Sequence, residues 1–425
     1  MAGELDLIAT LHRLQYQEMP TTQQAYLLLE VMPTGAAPGM MVQPVNFCLV
    51  LDHSGSMAGE KLRYMKEAAK LVVNRLGPND LLSVIVFDDE KPADLIVPLG
   101  AVIDRESIKR RIDSIQERGG THMSTGMSLG LNELQKGRSP ERVSSMLLLT
   151  DGQTWEDLQE CRELADLFRT AGIPIFALGL GVGAESNWDP QLLEDIARRS
   201  GGEWLVVDKP EKISSVFEKT LVSMQGTAIT NAQLTLRMVE GIVPRFVWRV
   251  IPLIGRLDHR SVSEHDVQVF LGDISHGLGQ SVLADMLVPS YPMGTHRLIQ
   301  ADITYDVPAS GLSAQKVNLE VMVSFTDDAA KASQTNGRVM NIVERVVAHK
   351  LQTQALDEAA AGEAVKATQR LRAAATRLLE LGEADLAAQA NEQASKIEQN
   401  GQIDVAAAQR MRYATKRLTE TETQE

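Results

Sequence analysis

Two periodicities divide the chain. Between 43 and 225, short continuous apolar runs alternate with segments whose apolar residues recur every three or four positions. Continuous runs of this length read as strands buried on both faces, and the three-to-four spacing reads as amphipathic helix. The first run, Phe47 to Leu51, stops abruptly at Asp52, with Ser54, Gly55 and Ser56 directly behind it. Further strands are expected at 81–87, 95–99, 145–150, 174–180 and 203–207. Helices are expected at 60–76, 105–115, 124–135, 155–170, 190–199 and 211–223. Asp189-Pro190 is a helix start, an acceptor cap ahead of a first-turn proline. Alternation at this spacing predicts an α/β fold, a doubly wound, mostly parallel sheet with helices on both faces.

The flanks are patterned differently. In 1–42, Leu5, Leu7, Ala9 and Leu11 alternate with other residues, as do Ala25, Leu27, Leu29 and Val31, before Pro33, Gly35, Pro38 and Gly39 break the run. In 226–330, strand-like runs at 232–238, 246–251, 268–271, 296–304 and 316–325 are separated by turn residues and show no helical period. This predicts a β-sandwich, completed by the strands of 1–42, with the α/β domain of 43–225 inserted in it or flanked by it. From 331 to 425 the chain is alanine-rich; Ala364, Leu371 and Leu378 repeat every seven residues, as do Ala367, Ala374 and Leu381. With Gly382 and Asn400-Gly401 as stops, a C-terminal α-helical bundle is expected.

Composition narrows the function classes. A chain of 425 residues with 44% apolar content has room for two or three domains with sizeable cores. Lys+Arg 42 against Asp+Glu 56 gives −14, and no basic stripe offsets it, which argues against nucleic acid and anionic membrane as partners. Cys48 lies in the buried first strand and Cys161 in a helical pattern, so both read as reduced core thiols. The first residues carry no basic-then-apolar leader, and no apolar run is long enough to span a bilayer. A cytoplasmic location is expected.

Three oxygen-bearing loops carry the chemistry: Asp52-His53-Ser54-Gly55-Ser56, Gly119-Gly120-Thr121, and Thr150-Asp151-Gly152. In a parallel sheet the loops after the strand C-termini share one edge, so Asp52, Ser54, Ser56, Thr121 and Asp151 can converge. An all-oxygen set of carboxylates and hydroxyls suits a hard divalent cation. Two bare carboxylates ~4 Å apart repel by ~4 kcal/mol at an effective dielectric of about 20, and a cation relieves that repulsion. Taken singly, the first loop is equally readable as turn chemistry, with Asp52 as a helix cap; agreement among three loops favours the metal set.

In this order the three motifs resemble the von Willebrand factor type A domain, and the likeness covers about 43–225. The resemblance implies a metal-ion-dependent adhesion site. Ser54, Ser56 and Thr121 offer hydroxyls; Asp52 and Asp151 bind directly or through water; a sixth position is left for water or for a partner's carboxylate. Mg²⁺ is the expected ion, with Mn²⁺ or Ca²⁺ as alternatives. The expected partner is a protein supplying an Asp or Glu. The runs at 269–274 and 279–284 resemble the β-rich segment that follows type A domains in many bacterial proteins, and some inter-alpha-trypsin-inhibitor-like proteins are similar. The alanine-rich tail resembles their helical C-termini.

His53 and His122 adjoin ligand positions, and Trp155 and Trp188 fall on loops of the same edge. They are candidates to support the ligand residues from behind or to contact a partner, against the simpler readings of loop histidines and packed indoles. Gly179-Leu180-Gly181-Val182-Gly183-Ala184 fits a dinucleotide fingerprint, but several residues intervene before the helix and Asp189 caps it, where a carboxylate would repel phosphate. A second acid two residues after Asp52, as phosphoryl-transfer hydrolases on such sheets require, is replaced by Ser54. The expectation is a non-enzymatic, metal-dependent protein-interaction or scaffold module. The alternatives are a structural subunit with an unused metal site and, behind it, a metal-dependent hydrolase.

Overall fold

The computed structural model describes residues 4–34, 42–89, 92–152, 154, 156–181, 188–400 and 404–419. Three strands come first: β1 (Leu5–Leu11), β2 (Gln15–Gln17) and β3 (Gln23–Pro33). The α/β region follows with β4 (Val45–Asp52), α1 (Glu60–Arg75), β5 (Leu81–Phe87), β6 (Asp94–Ala101), α2 (Arg105–Asp113) and α3 (Met123–Lys136). It continues through β7 (Val143–Thr150), α4 (Leu158–Thr170), β8 (Ile175–Leu180), α5 (Pro190–Ser200), β9 (Trp204–Val207) and α6 (Ile213–Gln225). Its sheet runs β6-β5-β4-β7-β8-β9, parallel except for the antiparallel edge strand β6. Every residue of β4 and β7 is buried, as their unbroken apolar runs require of central strands covered on both faces. One face packs on α1, α2 and α6, the other on α3, α4 and α5. Strand order reverses between β4 and β7, so their C-terminal ends flank the crevice where such sheets place ligands.

After α6 come β10 (Thr227–Met238), β11 (Val243–Ile251), β12 (Gly255–Leu257), β13 (His259–Ser261) and β14 (Asp266–Ser275). β15 (Gln280–Val288), β16 (Gly294–Val307) and β17 (Leu312–Thr326) complete the strands. They form a five-stranded sheet, β1-β3-β15-β11-β12, and a six-stranded sheet, β13-β14-β10-β16-β17-β2. Leu27, Leu29 and Val282 of one sheet meet Leu234, Leu236 and Ile303 of the other in a shared core. β15 lacks the alternation that marks its neighbours because eight of its nine residues are buried: the outer face of its sheet is covered too.

That cover is the helical tail: α7 (Ala329–Ala332), α8 (Gly337–Ala360), α9 (Ala364–Glu380), α10 (Ala384–Asn400) and α11 (Val405–Lys416). Val339, Ile342, Val343 and Val346 of α8 join Leu28, Trp248 and Leu283 in one apolar cluster. Burial of such side chains is worth roughly 1.5–3 kcal/mol each. α11 reaches back to the α/β region: Lys416 Nζ lies 2.8 Å from Glu194 Oε1 and 4.5 Å from the centre of the Trp204 ring. No described helix is long and apolar enough to cross a membrane.

Candidate metal centre

Asp52 ends β4 fully buried, and its two oxygens are held by different loops. Oδ1 accepts from the Ser54 amide at 2.8 Å and Oδ2 from Thr150 Oγ1 at 2.5 Å. Burial pushes its carboxyl up to about 6, against the hydrogen bonds from Thr150 and Ser54; the Asp151 charge adds to the rise. A tight turn at Gly55–Met57 then carries the serines round. Ser54 Oγ and Ser56 Oγ are 3.1 Å apart, and Ser56 Oγ donates to Asp151 Oδ1 at 2.6 Å.

The loop before α3 is stitched onto this one. Gly55 N donates to Gly119 O at 3.0 Å, Arg118 N to His53 O at 2.8 Å, and His122 N to Asp88 O at 2.9 Å. Gly119 has φ +63°, the left-handed region that favours glycine, and its bare Cα leaves room for the Asp89 carboxylate beside it. A Cβ on Gly152 would fall 2.6 Å from Thr121 Oγ1 and 3.5 Å from Asp52 Oδ2. Thr121 Oγ1 and Asp52 Oδ2 thus both lie close to Gly152. The structure therefore brings Asp52, Ser54, Ser56, Thr121 and Asp151 together at one edge as five oxygen-bearing side chains.

Two neighbours of this group are missed by sequence reasoning. Thr150 is hidden because its hydroxyl points along the sheet edge to Asp52. Lys61, on the first turn of α1, places Nζ 2.5 Å from Asp151 Oδ2, so a cationic group already contacts this carboxylate. A lysine one turn into an exposed amphipathic helix gives no sequence signal of that contact.

The flanking candidates differ from expectation. His53 is buried, with Nδ1 2.7 Å from Gln116 O and Nε2 3.3 Å from Asp88 Oδ2; it braces the loop and is not presented to a partner. His122 is buried as well, at the N-cap of α3, and turns toward Asp157 and Glu160 of the α4 start. Trp188, 3% exposed, donates from Nε1 to Gly181 O and lies where a Cβ on Gly179 would go, so it is a packing residue and not a partner contact. Trp155 lies outside the described residues, as do Val182, Gly183 and Ala184 of the glycine-rich run. Asp189 caps α5, accepting from Gln191 N and Leu192 N, which leaves a carboxylate where the dinucleotide reading needs a phosphate.

Residues 46–219 match the model of the von Willebrand factor type A domain, and residues 337–421 match that of the Sll0103-like, C-terminal alpha-helical domain. An uncharacterised Synechocystis protein, Sll0103, is 31% identical over 271 residues, covering 63% of this chain and 63% of that one. The human inter-alpha-trypsin inhibitor heavy chain H3 is 28% identical over 176 residues, covering 39% of this chain and 19% of the heavy chain. The chain thus spans less than two thirds of either relative. A solved structure, von Willebrand factor type A from Catenulispora acidiphila, superposes with a TM-score of 0.79 at 17% identity, covering 97% of this chain and 96% of that one. The likeness establishes the shared fold over nearly the whole chain.

Proposed function

We propose that this protein, whose residues 46–219 match the model of the von Willebrand factor type A domain, is a metal-dependent protein-interaction module. Asp52, Ser54, Ser56, Thr121 and Asp151 hold a divalent cation, Mg²⁺ in the first instance. The supporting observation is the convergence of two buried carboxylates and three hydroxyls at the β4–β7 crevice, linked through Ser56 to Asp151 and through Thr150 to Asp52. The donor set fits: it is all oxygen, as a hard cation requires, and a bound ion would displace the Lys61 ammonium that now neutralises Asp151. Bound there, the ion supplies an electrophilic pole for a partner's Asp or Glu, since two carboxylates only neutralise a dication. Ser56 is exposed beside buried Ser54 and Asp52, so the opening faces solvent and admits a partner side chain.

Chelator sensitivity tests the reading. Mg²⁺ titration into the wild type is expected to give saturable binding that Asp52→Ala abolishes, with capture of partner proteins lost in EDTA. Equal capture by wild type and Asp52→Ala, with and without chelator, overturns it. The competing reading, a structural subunit contacting its assembly through the tail, is disfavoured because the apolar face of α8 is already buried on the five-stranded sheet.

A further inference from the structure

Beside the Asp52 group lies a second cluster that differs from it in donor chemistry. His122, Asp157 and Glu160 each offer one ligand atom, and the three atoms lie within 4.8 Å of one another. His122 Nε2 is 3.7 Å from Asp157 Oδ2 and 3.9 Å from Glu160 Oε2. The His122 side chain is only 8% exposed, and Nε2 has no hydrogen-bond partner among the described residues. An imidazole nitrogen buried without a partner is costly unless something occupies its lone pair or proton.

Both carboxylates also accept hydrogen bonds from their neighbours. Asp157 Oδ2 accepts from Ser124 N at 2.6 Å, Thr154 Oγ1 donates to Oδ1, and Ser124 Oγ donates to Glu160 Oε2 at 3.0 Å. These bonds orient the acids toward His122, as outer hydrogen bonds do around metal ligands. Glu160 carries the cluster to the edge of a groove of 740 Å³ that Ser124, Thr125 and Leu164 also help to line.

We propose that His122, Asp157 and Glu160 form a second divalent-metal site, of the zinc class. One nitrogen and two carboxylate oxygens suit a borderline transition ion better than Mg²⁺, which prefers an all-oxygen shell. Ligand atoms of a tetrahedral zinc ion stand roughly 3.4 Å apart, so small shifts of the His122 ring and of Glu160, whose side chain is 63% exposed, close the present separations. The remaining position would be filled by water on the Glu160 side, where the cluster meets the groove. Because Thr121 and His122 are consecutive, one loop feeds both sites.

The test is Zn²⁺ titration of the full chain in saturating Mg²⁺, with Co²⁺ absorption as a spectroscopic reporter. One equivalent of Zn²⁺ is expected to bind despite the Mg²⁺, and Co²⁺ is expected to give the intense visible bands of a low-coordinate N/O site. Glu160→Ala, a change at an exposed side chain that leaves folding intact, should weaken Zn²⁺ at least about tenfold, as should His122→Gln. Asp52→Asn should leave that equivalent in place. Absence of Zn²⁺ binding, which reduces the cluster to a His122–Asp157 ion pair, overturns the proposal. So does binding that ignores both substitutions at the cluster, or binding lost with Asp52→Asn.

Discussion

Thr150 Oγ1 donates to Asp52 Oδ2 at 2.5 Å, so the hydroxyl that ends β7 secures the carboxylate that ends β4. This bond favours the ionised form of Asp52 against the burial that raises its carboxyl to about 6. Thr150→Val removes the donor at nearly constant volume. The Asp52 carboxyl then rises further, and a cation has to displace its proton over a wider range of pH. Mg²⁺ affinity at about pH 6 should fall roughly fivefold, and less at about pH 7 where the proton competes weakly. Identical titration curves for Thr150→Val and wild type at about pH 6 would show that Asp52 does not gate binding.

Gly152→Ala addresses Thr121. The new methyl would sit 2.6 Å from Thr121 Oγ1 with no strained backbone to complicate the result. The hydroxyl has to move off Gly152 and out of its present position, at a cost of roughly 1–3 kcal/mol if the loop resists. Calorimetry should show Mg²⁺ binding weakened at least about tenfold while the circular dichroism spectrum is unchanged. Full Mg²⁺ affinity in this variant would remove Thr121 from the ligand set.

Lys61 should act in the opposite direction. Its ammonium pairs with Asp151 Oδ2 at 2.5 Å and competes with any cation for that oxygen. Lys61→Met keeps the apolar stem and removes the charge, so Mg²⁺ should bind more tightly, by roughly tenfold at low ionic strength and less at high salt. Weaker Mg²⁺ binding would mean that Lys61 positions Asp151 for the ion.

His349 links the tail to both other regions and gives a pH signature. It is buried against Trp248, with Nδ1 3.0 Å from Thr415 Oγ1. Burial, aided by Lys416 and Arg412 and opposed by Glu194, pushes its imidazole down to about 3. The unfolded chain therefore binds this proton first. The stabilising effect of keeping His349 neutral is complete above the ordinary value of about 6.5 and is lost as pH falls toward 3. Other groups titrate in this window, so the readout is a difference: His349→Gln should lose about 2 kcal/mol less stability than wild type between about pH 7 and pH 5. Parallel pH profiles in chemical denaturation would contradict the assignment.

Much of this architecture is legible without coordinates, for definite reasons. Central strands such as β4 and β7 are buried on both faces, so they appear as unbroken apolar runs, and the amphipathic helices between them fix the doubly wound topology. The oxygen-bearing residues at strand ends follow from the same rule, because parallel strands deliver their loops to one edge. What stays hidden is direction. Nothing in the spacing says that Trp188 turns inward over Gly179, that Lys61 reaches Asp151, or that His122 faces α4 while its neighbour Thr121 faces Gly152. Those choices are made by packing between elements far apart in sequence.

Gln43 N donates to Gln225 O at 3.0 Å, where the chain enters β4 and leaves α6. This is the opposite end of the sheet from Asp52. Tension applied at the Asp52 edge therefore runs lengthwise down the parallel strands and reaches two covalent crossings side by side, one leading back to β3 and one on to β10. β3 belongs to the five-stranded sheet and β10 to the six-stranded one. The pull is shared between two sheets that grip a common core. In mechanical terms the sandwich is a two-point mooring, loaded in shear.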